Sequence, residues 1–172
     1  FIAAAKLCTE LPKSEEASRL INVGSLVVRC MLGRSSAFYN DLYAEGLLRG
    51  DFFRDVSPLA GTLLFECGGA SADPERVFAR LVDTLRDAAE HGIDGETLER
   101  ARRADYGLTL RSLNDPASVC SVLASSHFGG YGFYEGFDIL AGVTADDVSG
   151  FVREYLNPER LVLSTVLPKE RT

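Results

Sequence analysis

The chain has 172 residues, of which 46% are hydrophobic, and it carries a formal net charge of -7. This length and apolar content predict one globular domain over residues 1–172 with a sizeable core, and they exclude a disordered protein. The negative charge excludes a nucleic-acid-binding protein, because binding to a phosphate backbone depends on clustered Lys and Arg.

The first predicted element is a short apolar strand from Phe1 to Leu7. We expect its partners to lie outside the sequence, which predicts a fragment of a longer protein. The segment lacks an initiator Met and leads into charged sequence, so it is not predicted to be a signal peptide. No membrane partner is expected either, because Arg29 and Arg34 interrupt the longest apolar stretch before the roughly 20 residues that a membrane helix needs.

Two helices are predicted next. Ser14 can cap a first helix that ends at Gly33, and Ser35 or Ser36 can cap a second one that closes at Gly46. Apolar residues recur at helical spacing along the first helix: Ala17, Leu20, Ile21, Gly24, Val27, Val28 and Met31.

A β-hairpin is predicted after the second helix. Its strands run from Asp51 to Val56 and from Thr62 to Cys67. Ser57, Pro58 and Gly61 are residues typical of turns, so we expect them to form the connection.

Three longer helices follow, each with its own start signal. Asp73-Pro74 opens a helix that Gly92 ends, because Asp accepts from free amides and Pro loses no hydrogen bond at the first position. Asp94 opens the next helix, which runs to about Leu113.

The Asp115-Pro116 pair repeats this signal and opens a helix. This helix runs to Phe128, where several glycines end it. Thr144 and Asp147 resemble a capping box at the start of a later helix.

A short helix at 135–141 and a closing strand from Leu161 to Val166 complete the predicted elements. The order of strands and helices predicts an α+β fold with a mixed or antiparallel sheet and helices packed on one face.

The segment from Gly33 to Leu47 contains the pattern GxSSxxYxxLYxxGL. This pattern resembles the second, inactive half of the insulinase and pitrilysin superfamily of inverted-motif zinc peptidases. Further segments resemble the family in the same order: Asp73 to Glu75, Leu98 to Arg103, Ala141 to Val148, and Asn157 to Arg160. The resemblance covers nearly the whole chain and implies half of a chamber in which peptides are cut, with zinc in a companion half.

The chain lacks the family's zinc motif. Inverted-motif peptidases bind zinc through His-x-x-Glu-His on a helix, in which the Glu activates a water molecule. Asp87-Ala88-Ala89-Glu90-His91 departs from this motif by an Asp at the first position. It is either a degenerate metal site or a solvated helix end, where a cation suits the helix dipole.

The resemblance also implies where transition-state stabilising residues would lie. Many active partners place an Arg, and a Tyr several residues later, in the stretch matched by Leu42 to Phe52. Here Tyr43 stands at the Arg position, and Gly50 or Asp51 at the Tyr position. We therefore predict no catalytic residue and no metal ligand in this chain.

Tyr39 and Tyr43 are the candidate substrate-binding residues. Tyrosines combine apolar area with a polar tip, which suits a peptide groove. As neighbours one turn apart on a helix, the two residues could equally be half-buried packing residues.

Two further sets of side chains have an ordinary interpretation. On one predicted helix, basic and acidic residues recur at spacings of three or four, so we expect them to pair with each other on a solvated face. These residues are Glu96, Glu99, Arg100, Arg102, Arg103, Asp105 and Arg111. We expect reduced, buried thiols of a cytoplasmic protein in Cys8, Cys30, Cys67 and Cys120, which are widely separated in apolar sequence.

Two functions from different classes fit these observations. The first is the non-zinc C-terminal half of an insulinase-family metalloendopeptidase, inactive alone, which binds peptide substrate and pairs with an N-terminal zinc-bearing half or subunit. The alternative is a non-catalytic structural or assembly subunit that shares the fold, like respiratory-complex core proteins. A homodimer of the fragment would cover an apolar face that a missing half would otherwise hide.

Overall fold

A computed structural model of the protein describes residues 1–12, 15–130, 132 and 134–167. The predicted α+β class is confirmed. The elements are β1 (Ile2–Cys8), α1 (Glu15–Leu32), α2 (Ala37–Ala44), β2 (Leu48–Leu59), β3 (Thr62–Ser71), α3 (Pro74–His91), α4 (Gly95–Ser112), α5 (Pro116–Gly129), α6 (Glu135–Gly142), α7 (Ala145–Tyr155), a 3₁₀ turn (Pro158–Arg160) and β4 (Val162–Ser164).

The four strands form an antiparallel sheet in the order β2-β3-β1-β4. β1 is a central strand: Ala3 is paired with Cys67 of β3 on one side and with Leu163 of β4 on the other. The prediction that the partners of β1 lie outside the sequence is therefore wrong. Both partners come from distant parts of this chain, and local sequence does not specify such pairing.

The hairpin between β2 and β3 is longer than predicted. Ser57 and Pro58 do not form the turn, because they pair with Leu64 and Leu63 in the ladder. The connection is a two-residue turn in which both Ala60 and Gly61 have positive φ, at 50° and 80°. Proline is tolerated at this point because β2 is an edge strand.

The helices cover one face of the sheet. Inward-facing residues of β1 and β3, such as Ala5 and Phe65, are buried, and α1 crosses this face. A Cβ atom added to Gly24 of α1 would lie 2.8 Å from Phe151 of α7 and 2.9 Å from Val56 of β2. α1 is therefore held tightly between the sheet and α7.

Most of the predicted helix starts are confirmed. The side chains of Ser36, Asp73, Asp94 and Asp115 each accept a hydrogen bond from the backbone amide three residues later. Thr144 and Asp147 form the complete capping box of α7. The predicted cap of α1, Ser14, lies outside the described residues, and the closing strand is shorter than predicted.

The later part of α4 and the helix α5 expose several large apolar side chains. Among the side chains of α5 that the structure describes, only Ser126 is buried. We call the following exposed set the α4–α5 surface: Tyr106, Leu108, Leu110, Val122, Leu123 and Phe128. No helix of the described residues is long and apolar enough to cross a membrane.

Candidate functional site

The two candidate tyrosines are stacked on α2. The ring centroids of Tyr39 and Tyr43 are 6.1 Å apart, with 10° between the ring planes. Tyr39 is half-buried and its ring centroid lies 6.2 Å from that of Phe52 of β2, whereas Tyr43 is 62% exposed. Tyr39 therefore joins α2 to the sheet, and Tyr43 offers an open aromatic face.

Two glycines have positive φ here: Gly46 at 70°, just before β2, and Gly50 at 76°, near the start of the strand. The ladder between β2 and β3 is irregular between Arg49 and Phe52. Beyond this bulge Phe52 and Val56 are buried beneath the helices. Arg54 lies between them in the alternation of the strand, so its side chain is on the same, helix-facing side.

Arg54 is a half-buried cation without a counterion. It makes no hydrogen bond or ion pair with any residue that the structure describes. Its pKa is lowered, first because burial removes water from the guanidinium and then because Arg29 and Arg34 repel it. Interaction with Tyr39 acts in the opposite direction.

An ion pair between α1 and α4 lies next to Arg54. Nη2 of Arg29 is 2.5 Å from Oδ1 of Asp105, and the side chains are 25% and 21% exposed. The Nε atom of Arg29 is buried and has no hydrogen-bond partner in the described part of the chain. Arg29 therefore has one nitrogen paired with Asp105 and another that is buried without a partner.

These groups line an open pocket of about 410 Å³ between α1, α4 and β2. We call it the Arg54 pocket; its polar lining residues are Asn22, Ser25, Arg29, Arg54, Asp55 and Asp105. Guanidinium groups with free donors suit the planar, two-oxygen geometry of a carboxylate. Arg54, which has no partner among the described residues, is the group of this pocket with that geometry.

The sequence does not indicate this pocket, because the spacing of charges along α4 predicts that Asp105 lies on a solvated face. The expected pair of Glu96 with Arg100 is present at 2.9 Å. Arg102 also pairs with Glu99, but it is largely covered and donates to the backbone carbonyl of Val143 as well. The expectation of a wholly solvated face is thus wrong, since spacing along one helix carries no information about charges on another.

A larger cleft of about 630 Å³ lies between α1, α2, α3 and α4. Its charged groups already have partners: Arg80 pairs with Asp41 and Glu45, and Asp94 caps α4. The Arg54 pocket is distinguished from this cleft by its unpaired cation.

The structure places the degenerate zinc motif at the exposed end of α3. Nδ1 of His91 is 2.9 Å from Oδ1 of Asp87, and both side chains are more than two-thirds exposed. No group of three or more His, Cys, Asp or Glu that could hold a metal ion occurs within residues 1–12, 15–130, 132 and 134–167. The segment has the geometry of an exposed ion pair one helical turn apart.

All four cysteines are free thiols. Burial raises the pKa of Cys67 to about 12, and burial together with Asp94 raises that of Cys30 to about 12. Cys120 on α5 is exposed, so the expectation that all four thiols are buried is wrong. Its apolar sequence context does not lead to burial because α5 packs on few neighbours.

No model of a known protein family matches the chain. The chain is similar to the zinc protease YmfH of Bacillus subtilis, with 27% identity over 145 residues, which is 84% of the chain. It spans 34% of the length of that relative.

Two solved structures show the fold. One, described as an M16-like peptidase from Alicyclobacillus acidocaldarius, has a TM-score of 0.86 and 22% identity over 94% of this chain and 38% of that one. The other is described as the inactive peptidase domain of a zinc protease from Bordetella parapertussis. It has a TM-score of 0.71 and 20% identity, and the match covers 98% of this chain and 92% of that one. Both structures share the fold of this chain, and the fold that the sequence resemblance implies is thereby confirmed.

Proposed function

We propose that this chain is the non-zinc, C-terminal half of a zinc-dependent peptidase, and that it works with a zinc-bearing half encoded upstream or in a paired subunit. The observation that carries this proposal is the similarity over nearly all of the chain to a solved inactive peptidase domain. The match to about a third of a longer zinc protease supports a companion. The free cysteines support a location in the reducing cytoplasm.

In this proposal the companion half supplies the metal. Zinc held there would lower the pKa of a bound water and polarise the peptide carbonyl. The present chain would close the chamber and hold the peptide in an extended form. Residues 1–172 would thus be one domain of a longer protein.

The α4–α5 surface is the proposed contact with the companion half. Exposed apolar side chains gathered on neighbouring helices are typical of interfaces, and Phe128 is 88% exposed. The B. subtilis relative has about two-thirds of its length outside the match, which supports a companion large enough to cover such a surface.

Tyr43 and Tyr39 are the proposed peptide-binding side chains. The open face of Tyr43 can pack on an extended peptide, while the contact of Tyr39 with Phe52 fixes the stack against the sheet. Tyr43→Ala should weaken peptide binding severalfold without changing stability, whereas Tyr106→Ala, on the exposed side of α4, should leave peptide binding unchanged. Equal binding by both variants would remove the tyrosines from the proposed site.

The coding sequence upstream of Phe1, or that of an adjacent gene, tests the whole proposal. It should encode His-x-x-Glu-His and a later Glu. The two halves together should cleave a quenched peptide, a chelator should abolish cleavage, and this chain with zinc alone should show none. A degenerate upstream half, with no cleavage by the assembled protein, would favour the structural-subunit function instead.

A further inference from the structure

The free edge of β2 lies beside the Arg54 pocket. Within the part of the chain that the structure describes, β2 is the outermost strand of the sheet and pairs only with β3. The pocket is lined by the segment 53–56 of this strand and by the facing sides of α1 and α4. An extended peptide along this edge would place one side chain opposite Arg54, with Cβ atoms about 5 Å apart.

The charges on this side of the strand favour an anion. Arg54 has no partner among the described residues, and Arg29 and Arg34 are close enough to repel it. The carboxylate of Asp105 is already paired with Arg29. Asp55 also lines the pocket, but it is exposed and alternates with Arg54 along the strand, so its side chain leans away from the helix-facing side on which Arg54 lies. A monoanion opposite Arg54 would relieve this repulsion and satisfy free guanidinium donors.

The volume and donor geometry indicate which anion fits. A pocket of about 410 Å³ accommodates a whole side chain. Asp105 cancels part of the positive charge, so a carboxylate fits better than a doubly charged phosphate. We propose that the Arg54 pocket binds the carboxylate of an internal Glu or Asp in an extended peptide lying along β2, with Arg54 as the donor. This inference rests on the proposed peptide-binding role and adds a charge preference to it.

Binding of three labelled peptides to the 172-residue chain tests the inference by fluorescence anisotropy. Two are capped at both ends and differ only in a central Glu or Gln; the third has the central Gln and a free C-terminal carboxylate. The Glu peptide should bind about tenfold more tightly than the capped Gln peptide, the effect of one charge-assisted hydrogen bond. Rising salt should reduce this preference.

Two substitutions assign the preference to its residue. Arg54→Met should abolish the difference between Glu and Gln peptides, and Arg54→Lys should retain part of it. Arg49→Gln, which removes an exposed positive charge from the same strand, should leave the preference intact. Because Arg54→Met removes an unpaired half-buried charge, the variant should fold, which urea unfolding verifies.

Several outcomes would overturn the inference. These are equal affinity for the Glu and Gln peptides, a preference that survives Arg54→Met, tighter binding of only the peptide with a free C-terminus, or no peptide binding at all. Competition by inorganic phosphate as strong as that by the Glu peptide would also contradict it. If the two halves together cleave peptides without regard to acidic residues, the charge preference fails while the proposed function stands.

Discussion

The helices α3 and α5 have comparable numbers of apolar residues but opposite environments. In α3, Val77, Leu81 and Leu85 lie along one stripe and are fully buried. In α5, Val122, Leu123 and Phe128 are 38% to 88% exposed. Apolar content alone therefore does not decide burial in this protein.

The arrangement of those residues explains the difference. A single apolar stripe lets one neighbouring surface cover α3. The apolar side chains of α5 are spread around the helix, so its few neighbours in the chain leave most of them uncovered. The packed region supports the fold, and the α4–α5 surface is suited to contact with another protein.

The largest expected effect is on folding and comes from the packed region. Leu26→Ala on α1 removes a side chain with no solvent exposure and should lower the free energy of unfolding by about 3 kcal/mol through lost burial and a cavity. Leu123→Ala on α5 should lower it by less than about 1 kcal/mol, because half of that side chain is already in water. Urea unfolding measures both free energies, and equal losses of stability would show that burial does not distinguish the two helices.

A second prediction concerns close packing of the central helix. Gly24→Val would force atoms into Phe151 and Val56 and should destabilise the fold by about 2 kcal/mol, since overpacking strains a filled core. Gly107→Ala in α4 meets no atom within 4 Å and should stabilise by about 0.5 to 1 kcal/mol through helix propensity. Thermal unfolding measures both; stabilisation by Gly24→Val would show that α1 is loosely held.

The third prediction tests the exposed region in the assembled protein. Phe128→Ser should weaken binding of the companion half about tenfold, as expected for an aromatic interface residue, without lowering the stability of this chain. Leu59→Ser serves as the control, because Leu59 is similarly apolar and 56% exposed but lies at the hairpin turn. Equal weakening by the two variants, measured by calorimetry, would argue against a contact at α5.

The smallest effect is expected at the helix caps. The pKa of Asp147 is lowered, first by a hydrogen bond from the backbone amide of Thr144. The hydroxyl of Thr144 and the cation of Arg19 act in the same direction. Its stabilisation is therefore present above the unfolded pKa of about 3.8 and is lost as the pH falls through the lower folded value. Asp147→Asn should cost about 1 kcal/mol at pH 7 and less at low pH.

Asp115 provides the matched cap on α5. Its pKa is also lowered, chiefly by the hydroxyl of Ser118. Because α5 adds little to the packed core, Asp115→Asn should increase hydrogen exchange within α5 and leave global unfolding unchanged. Comparison of the two variants across pH by urea unfolding checks this; equal global losses would show that α5 folds as part of the core.

The sequence predicted local features well. The caps at Ser36, Asp73, Asp94 and Thr144 are confirmed because each depends on a backbone amide within three residues of the side chain. Motifs spread along the chain also indicated the family resemblance. That Tyr39 and Tyr43 bind peptide stays a prediction, although the structure shows how the two rings stack.

Tertiary structure alone decided the features that join distant segments. The pairing of β1 with β3 and β4, the ion pair of Arg29 with Asp105, and the isolation of Arg54 depend on side chains far apart in sequence. Periodicity along one element specifies which face is apolar but not what covers it. The exposure of α5 and the position of the Arg54 pocket were therefore determined only by how the elements pack.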